Sequence, residues 1–179
     1  MSGPHRTRAP NLSAEAVKPS QIGHSGRVFV DETLERVAAL LALGKQPSED
    51  LPGVATDALV RGLDSPSLRV LAGTRPGDVR EKRDLFWLAL SELAIPQPSE
   101  IEARWSLVTD WARDIIDDRL TPLSGARRIW WEGWEELGRP DELTVFVGLA
   151  SEWEDDEAHR AEYEQDIRDA AAALLARRS

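Results

Sequence analysis

Apolar residues recur at separations of three and four residues along most of the chain. Because an α-helix turns about 100° per residue, this spacing places them on one face of a helix. Glycine, proline and small polar residues separate the periodic segments, as expected for turns between helices. The pattern therefore predicts an all-α fold, a compact bundle of six to eight helices. The periodic segments are residues 30–44, 54–63, 64–71, 78–93, 99–120, 121–137, 141–153 and 155–178.

The segment at residues 121–137 has the widest apolar face and contains three of the seven tryptophans. Thr121 suits the N-cap, Pro122 suits the first helical position, and Gly138 suits the end of the helix. Since residues 99–120 precede it directly, we predict an antiparallel, Trp-rich hairpin at the centre of the bundle. The stripe expected to face the core contains Leu123, Ala126, Trp130, Trp134 and Leu137.

Two places along the chain interrupt this simple pattern. The run TVFVG at residues 144–148 is rich in β-branched residues, so a short strand is an alternative to the favoured helix there. Pro96 and Pro98 predict a corner at residues 94–99, because a connection this short favours a corner over a hinge. We therefore predict one acidic helical domain over residues 30–179.

Residues 1–29 contain three prolines and almost no apolar periodicity. Such a segment has too little apolar surface to offset the entropy of ordering, so we predict a disordered basic tail. Residues 1–30 carry a net charge of +3, and the whole chain carries −10, which leaves −13 on the predicted domain.

The amino-acid composition limits which class of partner the protein could bind and in which cellular compartment it could lie. The absence of cysteine excludes disulfides and thiolate metal sites and suits a cytoplasmic protein. No apolar run is long enough for a membrane span, and no signal peptide is recognisable. A strongly acidic domain repels nucleic-acid phosphates and attracts basic proteins. We therefore expect a basic protein partner, with neither nucleic acid nor membrane.

A row of four aspartates lies on one side of the segment at residues 99–120. Their spacing would allow the row to hold a divalent cation or to contact a basic surface. Arg113 is within pairing distance of two of them along the helix, so a solvated face with local ion pairs is the favoured interpretation. The candidate partner-binding aspartates are Asp110, Asp114, Asp117 and Asp118.

Asp155, Asp156 and His159 form the only carboxylate–imidazole group outside the tail, at helical spacing that could ligate a metal ion. A di-iron bundle needs two Glu-x-x-His motifs, and the chain has a single histidine after the tail. Acidic residues clustered where a helix dipole favours them are the preferred interpretation. Neither a phosphate-binding loop nor a nucleophile elbow occurs, so we predict no catalytic residue and no cofactor.

Trp131 lies about 100° away from Trp130 around the helix and therefore at the edge of the predicted core. Arg127 precedes it by four residues, a spacing that allows the guanidinium to stack on the indole. Trp153, beside Glu154, is a second candidate for the surface. Tryptophan and arginine dominate interface hot spots, so we predict that Arg127, Trp131 and Trp153 contact a partner. Coverage of these indoles by a neighbouring helix is the alternative.

The stretch GARRIWWEGWEELGRPDELTVFVGLASEWEDDEAHR, with LDSPSLRVLAG upstream of it, resembles a group of small, acidic helical proteins from high-GC bacteria. The resemblance covers most of residues 60–165. It implies a recurring helical fold and no particular activity, so it assigns no functional residue.

These observations favour a non-enzymatic protein-binding module, an immunity-type or regulatory partner of a basic protein. Two alternatives remain. One is a hydrolase-like, metal-dependent enzyme that uses the acidic cluster with His159. The other is a helical binder of small molecules with a pocket lined by tryptophans.

Overall fold

The computed structural model describes residues 32–75 and 77–178, and the predicted basic tail at residues 1–29 lies outside this part of the chain. The described residues form eight α-helices and no strand, which confirms the predicted all-α fold. The helices are α1 (Glu32–Ala42), α2 (Leu51–Val60), α3 (Pro66–Ala72), α4 (Val79–Glu92), α5 (Glu100–Ile116), α6 (Pro122–Arg128), α7 (Thr144–Asp155) and α8 (Arg160–Arg178). A π-helix, Ile129–Trp134, extends α6, and short 3₁₀ turns lie at Ser48–Asp50, Asp141–Leu143 and Glu157–His159.

Side-chain caps define the starts of four helices. Ser99 accepts a hydrogen bond from the Glu102 amide at 3.3 Å, and the Glu102 carboxylate accepts one from the Ser99 amide at 2.8 Å. This reciprocal pair satisfies two amide donors at the start of α5 that would otherwise lack partners. Three other helices begin with one such hydrogen bond, in which a side-chain oxygen accepts from the backbone amide three residues later. The capping residues are Ser65, Asp78 and Thr121.

The corner between α4 and α5 has a defined geometry. Ala94 adopts a left-handed conformation with φ 57°, and the Ile95 amide donates to the Leu90 carbonyl at 2.8 Å. This arrangement ends α4 in the manner usually reserved for glycine. Pro96 and Pro98 then keep the chain from continuing as a helix before the cap of α5.

The first of two hydrophobic cores is formed by α1–α4. It consists almost entirely of leucine, alanine and valine packed around the fully buried Phe86. The second core is formed by α5–α8 with the π-helix and includes Phe146 and the buried Trp111. Helix α1 contributes to both cores, because Leu34 and Leu41 enter the first while Ala39 enters the second.

α5 and the α6–π segment run antiparallel in close contact. A Cβ atom on Gly125 would lie 2.3 Å from Ile115 Cγ1, and one on Gly133 would lie 2.6 Å from Val108 Cγ2. Both glycines therefore allow the two backbones to approach at these crossings. α7 packs against α6, and α8 packs against α5, α6 and α7.

The five residues of the predicted core-facing stripe all lie in or against the second core, with Ala126 fully buried and the other four half-buried. Gly125, Ile129 and Gly133 are buried, whereas Trp130 and Trp134 are only half-buried. The Glu135 amide donates to the Trp130 carbonyl at 3.1 Å, five residues back, which marks the π-helix. The face that packs on α5 is therefore the one with the glycines, because only that face allows so close an approach. Residues 144–148 lie within α7, so the helix expected there is confirmed and the strand alternative is wrong.

Candidate interaction surface around Trp131

Asp114, one of the four predicted surface aspartates, is buried, with 6% of its surface exposed. Its carboxylate accepts hydrogen bonds from Arg36 Nη1 at 3.0 Å and Arg119 Nε at 2.6 Å. Burial raises the pKa of this carboxyl group, but the bonds from Arg119 and Arg36 lower it further, and the net shift is downward. The expectation of a solvated face is wrong at this position, because α1 covers the middle of the row.

The other three aspartates also pair with arginines of the same chain. Asp110 pairs with Arg113 at 3.0 Å, within α5. The Asp117 carboxylate lies 2.8 Å from Arg119 Nη1, and that of Asp118 lies 3.3 Å from Arg168 Nη2 on α8. The row thus attaches α5 to α1 and α8 and carries little uncompensated charge. The spacing within α5 pointed to Arg113, whereas Arg36 and Arg168 are distant in sequence and have no local signal.

Asp156 caps the 3₁₀ turn between α7 and α8, and His159 is the last residue of that turn. The Asp156 carboxylate accepts from the Ala158 amide at 3.1 Å and lies 2.7 Å from His159 Nδ1. The hydroxyl of Tyr163 donates to the same carboxylate at 3.4 Å. The bond to His159 lowers the pKa of Asp156, and the bond to Asp156 raises the pKa of His159. Within the described residues no group of three or more acidic, histidine or cysteine side chains is arranged to hold a metal ion.

Trp131 is the one tryptophan that is exposed, at 57%, and the other six are half-buried or buried. Its indole stacks on that of Trp130, with ring centroids 4.5 Å apart and ring planes 10° from parallel. Both residues lie in the π-helix. The stacking fixes the orientation of Trp131 while leaving much of its surface open to solvent.

Arg127 has a different partner from the one its spacing suggested. Its guanidinium donates to the Glu154 carboxylate on α7, with Nε at 3.1 Å and Nη2 at 2.5 Å. Further along, Trp134 Nε1 donates to Thr144 Oγ1 at 3.2 Å. These two bonds hold α7 antiparallel to the α6–π segment on either side of Trp131. Local spacing could not predict Glu154 or Thr144 as a partner, since each lies on a different helix from the residue that it contacts.

Other ion pairs neutralise the charges beside Trp131. Glu132 pairs with Lys45 of the loop after α1 at 2.5 Å, and Glu135 pairs with Arg139 at 3.1 Å. With the pair between Arg127 and Glu154, three ion pairs involve residues within four positions of Trp131. The charges beside the indole are therefore compensated apart from that of Arg128, which is exposed and forms no ion pair with a described residue.

Trp153, the second predicted contact residue, lies half-buried between α7 and α8. The Arg160 guanidinium lies 4.2 Å above its ring, and Trp153 Nε1 donates to Glu164 at 3.4 Å. Both the ring face and the polar edge of this indole thus have partners within the chain. Trp131, in contrast, keeps a large open surface.

A cleft with a volume of about 300 Å³ lies between α1 and the start of α5. Its described lining residues include no tryptophan, so it differs from the aromatic pocket that the small-molecule alternative required. They are Glu35, Ala38, Ala39, Pro96, Gln97, Pro98, Glu102 and Ser106.

No protein-family model matches this chain, and no curated protein or solved structure matches it either. None of the helices in the described part of the chain combines the length and apolarity needed to cross a membrane.

Proposed function

We propose that this protein is a non-enzymatic protein-binding module that contacts a basic protein through the surface around Trp131. The observation that carries the proposal is the 57% exposure of an indole held flat against Trp130. An immunity-type or regulatory role fits such a module, since both act by occupying a partner's surface.

The Trp131 side chain is already ordered before a partner binds. Stacking on Trp130 restricts the indole before any partner arrives, so binding costs less side-chain entropy than it would for a mobile residue. Covering the open indole removes a large apolar area from water. Tryptophan is accordingly enriched among residues that dominate binding energy. The surrounding ion pairs form a polar rim of the kind that encloses such residues.

Exposed carboxylates without an ion-pair partner lie on the neighbouring helices. Glu152 and Asp155 on α7 and Glu162 and Asp166 on α8 are exposed. None of these four side chains forms an ion pair with another described residue. They supply the negative potential that steers a basic partner toward this side of the bundle.

Co-purification from native host cells tests the proposal, with Trp131→Ala compared against wild type. We expect wild-type protein to recover a basic partner in stoichiometric amount and Trp131→Ala to weaken the affinity about 30-fold, the loss of a typical hot spot. Raising the salt concentration should weaken the complex further, because the charge contribution is screened.

Leu88→Ala is the matched control, because Leu88 is 53% exposed and lies on α4, a helix that belongs to the other core. This variant should recover the partner as wild type does. Undiminished recovery by Trp131→Ala, or a complex indifferent to salt, would contradict the proposal.

A further inference from the structure

Within this molecule, arginine is the usual cover for a partly exposed tryptophan ring. Three guanidinium groups lie over indole rings, at distances from guanidinium carbon to ring centroid between 3.3 and 5.1 Å. This arrangement combines the attraction of a cation for the ring face with removal of apolar surface from water. The pairs are Arg178 with Trp105, Arg160 with Trp153, and Arg139 with Trp134.

Trp131 has no such cover. Trp130 lies against one face of its ring, and the 57% exposure of the residue leaves the opposite side open. Among the described residues no guanidinium lies over this ring. Arg127 is held by Glu154 instead. The open face of Trp131 therefore lacks the guanidinium that covers the three other indole rings.

The neighbouring helix α7 is open to solvent at the level of Trp131 along the bundle. Contacts of Arg127 with Glu154 and of Trp134 with Thr144 set the antiparallel register, so the stretch around Gly148 lies alongside Trp131. Gly148 is exposed, and a Cβ atom there would meet no atom within 4 Å. Beyond it on α7, Glu152 and Asp155 are exposed and form no ion pair with a described residue.

We infer that the basic partner inserts an arginine that stacks on the open face of Trp131. This inference rests on the proposed function and specifies its chemistry. Guanidinium suits the site better than ammonium, because it is planar, stacks on aromatic rings and is less strongly hydrated. The free carboxylates on α7 supply the counter-charge, since the ion pairs beside Trp131 are already compensated.

Two synthetic peptides separate arginine recognition from general charge attraction. One contains arginine–glycine–serine repeats, and the other has lysine at every arginine position, so length and charge are identical. Each peptide is titrated into the full-length protein while the indole Nε1–H signals are followed by NMR, with Trp131→Phe used to assign the signal of Trp131.

We expect the arginine peptide to shift the Trp131 signal to saturation and to bind about two- to fivefold more tightly than the lysine peptide. Trp131→Ala should abolish this preference while leaving the weaker charge attraction in place. The double variant Glu152→Gln/Asp155→Asn should weaken both peptides alike. The inference is overturned if the two peptides bind equally, or if the preference survives in Trp131→Ala.

The native partner distinguishes failure of this inference from failure of the proposed function. If Trp131→Ala weakens the native complex while lysine in the partner replaces arginine without loss, Trp131 is an ordinary apolar contact. The function then stands and the arginine inference falls. If Trp131→Ala affects neither the native complex nor the peptide preference, both are wrong.

Discussion

The two cores of this bundle are stabilised in different ways. In the core of α1–α4 the buried apolar side chains are aliphatic apart from Phe86, and Lys82 and three serines are buried beside them. Ion pairs within this region lie between residues close in sequence, as in Arg80 with Asp84. The helices of the second core carry six of the seven tryptophans, and four of these lie in or against the core. Arginines join these helices to one another and to α1. The joining pairs include Arg36 with Asp114, Arg104 with Glu136, Arg127 with Glu154, Arg168 with Asp118 and Arg178 with Glu142.

This difference explains why the candidate interaction surface lies on the second core. An aliphatic core leaves few groups suited to specific recognition once it is packed. In the α5–α8 region, each arginine that pairs with a carboxylate or covers an indole removes one group from the set available to a partner. The exposed groups that remain in this region include Trp131, the carboxylates of α7 and α8 without an ion pair, and the aliphatic side chains of Ile101, Ile116 and Val145. Trp131 is the aromatic group among them and therefore marks the proposed surface.

Removing Phe86 should have the largest effect on stability. Phe86→Ala deletes the fully buried ring at the centre of the first core and should lower the free energy of unfolding by about 3–5 kcal/mol. Because α1 belongs to both cores, tryptophan fluorescence, which reports mainly on the second, should shift together with circular dichroism in urea. An unchanged fluorescence midpoint would show that the two cores unfold independently. Leu88→Ala, at an exposed position, should change stability by about 0.5 kcal/mol or less.

Asp114→Ala should be the next most damaging change. The substitution leaves Arg36 and Arg119 without the buried carboxylate that attaches α1 to α5, and should cost about 2–3 kcal/mol. The figure is below that of a fully buried pair, because both arginines are partly exposed. Asp84→Ala, which breaks an exposed pair with Arg80, should cost about 0.5 kcal/mol or less. If urea unfolding showed the same loss of unfolding free energy for Asp114→Ala and Asp84→Ala, burial of the ion pair would not matter for stability.

The same aspartate predicts a pH dependence. Its pKa is lowered in the folded state, so its contribution is fully present above the ordinary aspartate value, about 3.9, and is lost as pH falls through the folded value. Wild type should therefore lose more stability on acidification below about pH 4 than Asp114→Ala does. If the free energy of unfolding fell equally with pH in wild type and Asp114→Ala across this range, the prediction would be wrong.

Alanine at two helical glycines should have opposite effects in the two regions. Gly125→Ala in α6 places a Cβ atom against the buried Ile115 and should destabilise by about 1–3 kcal/mol. Gly53→Ala in α2 meets no atom within 4 Å and should stabilise by up to about 1 kcal/mol. Thermal unfolding measures both, and a gain in stability for Gly125→Ala would show that α5 and α6 separate easily.

The smallest expected effect is the dependence of stability on the titration of two groups, His159 in the second region and Glu92 in the first. The pKa of His159 is raised by Asp156, so its contribution is present below the ordinary histidine value, about 6.5, and is lost as pH rises through the folded value. The pKa of Glu92 in the first region is lowered by Ser67 at the start of α3, so its contribution is lost in acid. An NMR titration should give His159 a pKa above about 6.5 that falls in Asp156→Asn. No change in that variant would exclude the pairing.

Local sequence patterns were sufficient to locate the helices, because helix formation depends on local information. Apolar spacing located all eight, and the caps at Ser65, Ser99 and Thr121 lie where hydroxyl side chains precede the periodic segments. Trp131 at the edge of the core was also predictable, because the angle between neighbouring residues follows from helix geometry alone.

Tertiary structure decided which of the candidate residues remain available to a partner. Asp114 fits a solvated row by its spacing, yet α1 covers it and Arg36 neutralises it from 78 residues away in sequence. Trp153 and Trp131 were both predicted at the edge of the core. The packing of α8 places the Arg160 guanidinium over the ring of Trp153, whereas the Trp131 ring has no guanidinium over it and stays exposed. Ion pairs and ring contacts between helices depend on distances across the bundle, and the periodicity of a single helix carries no information about those distances.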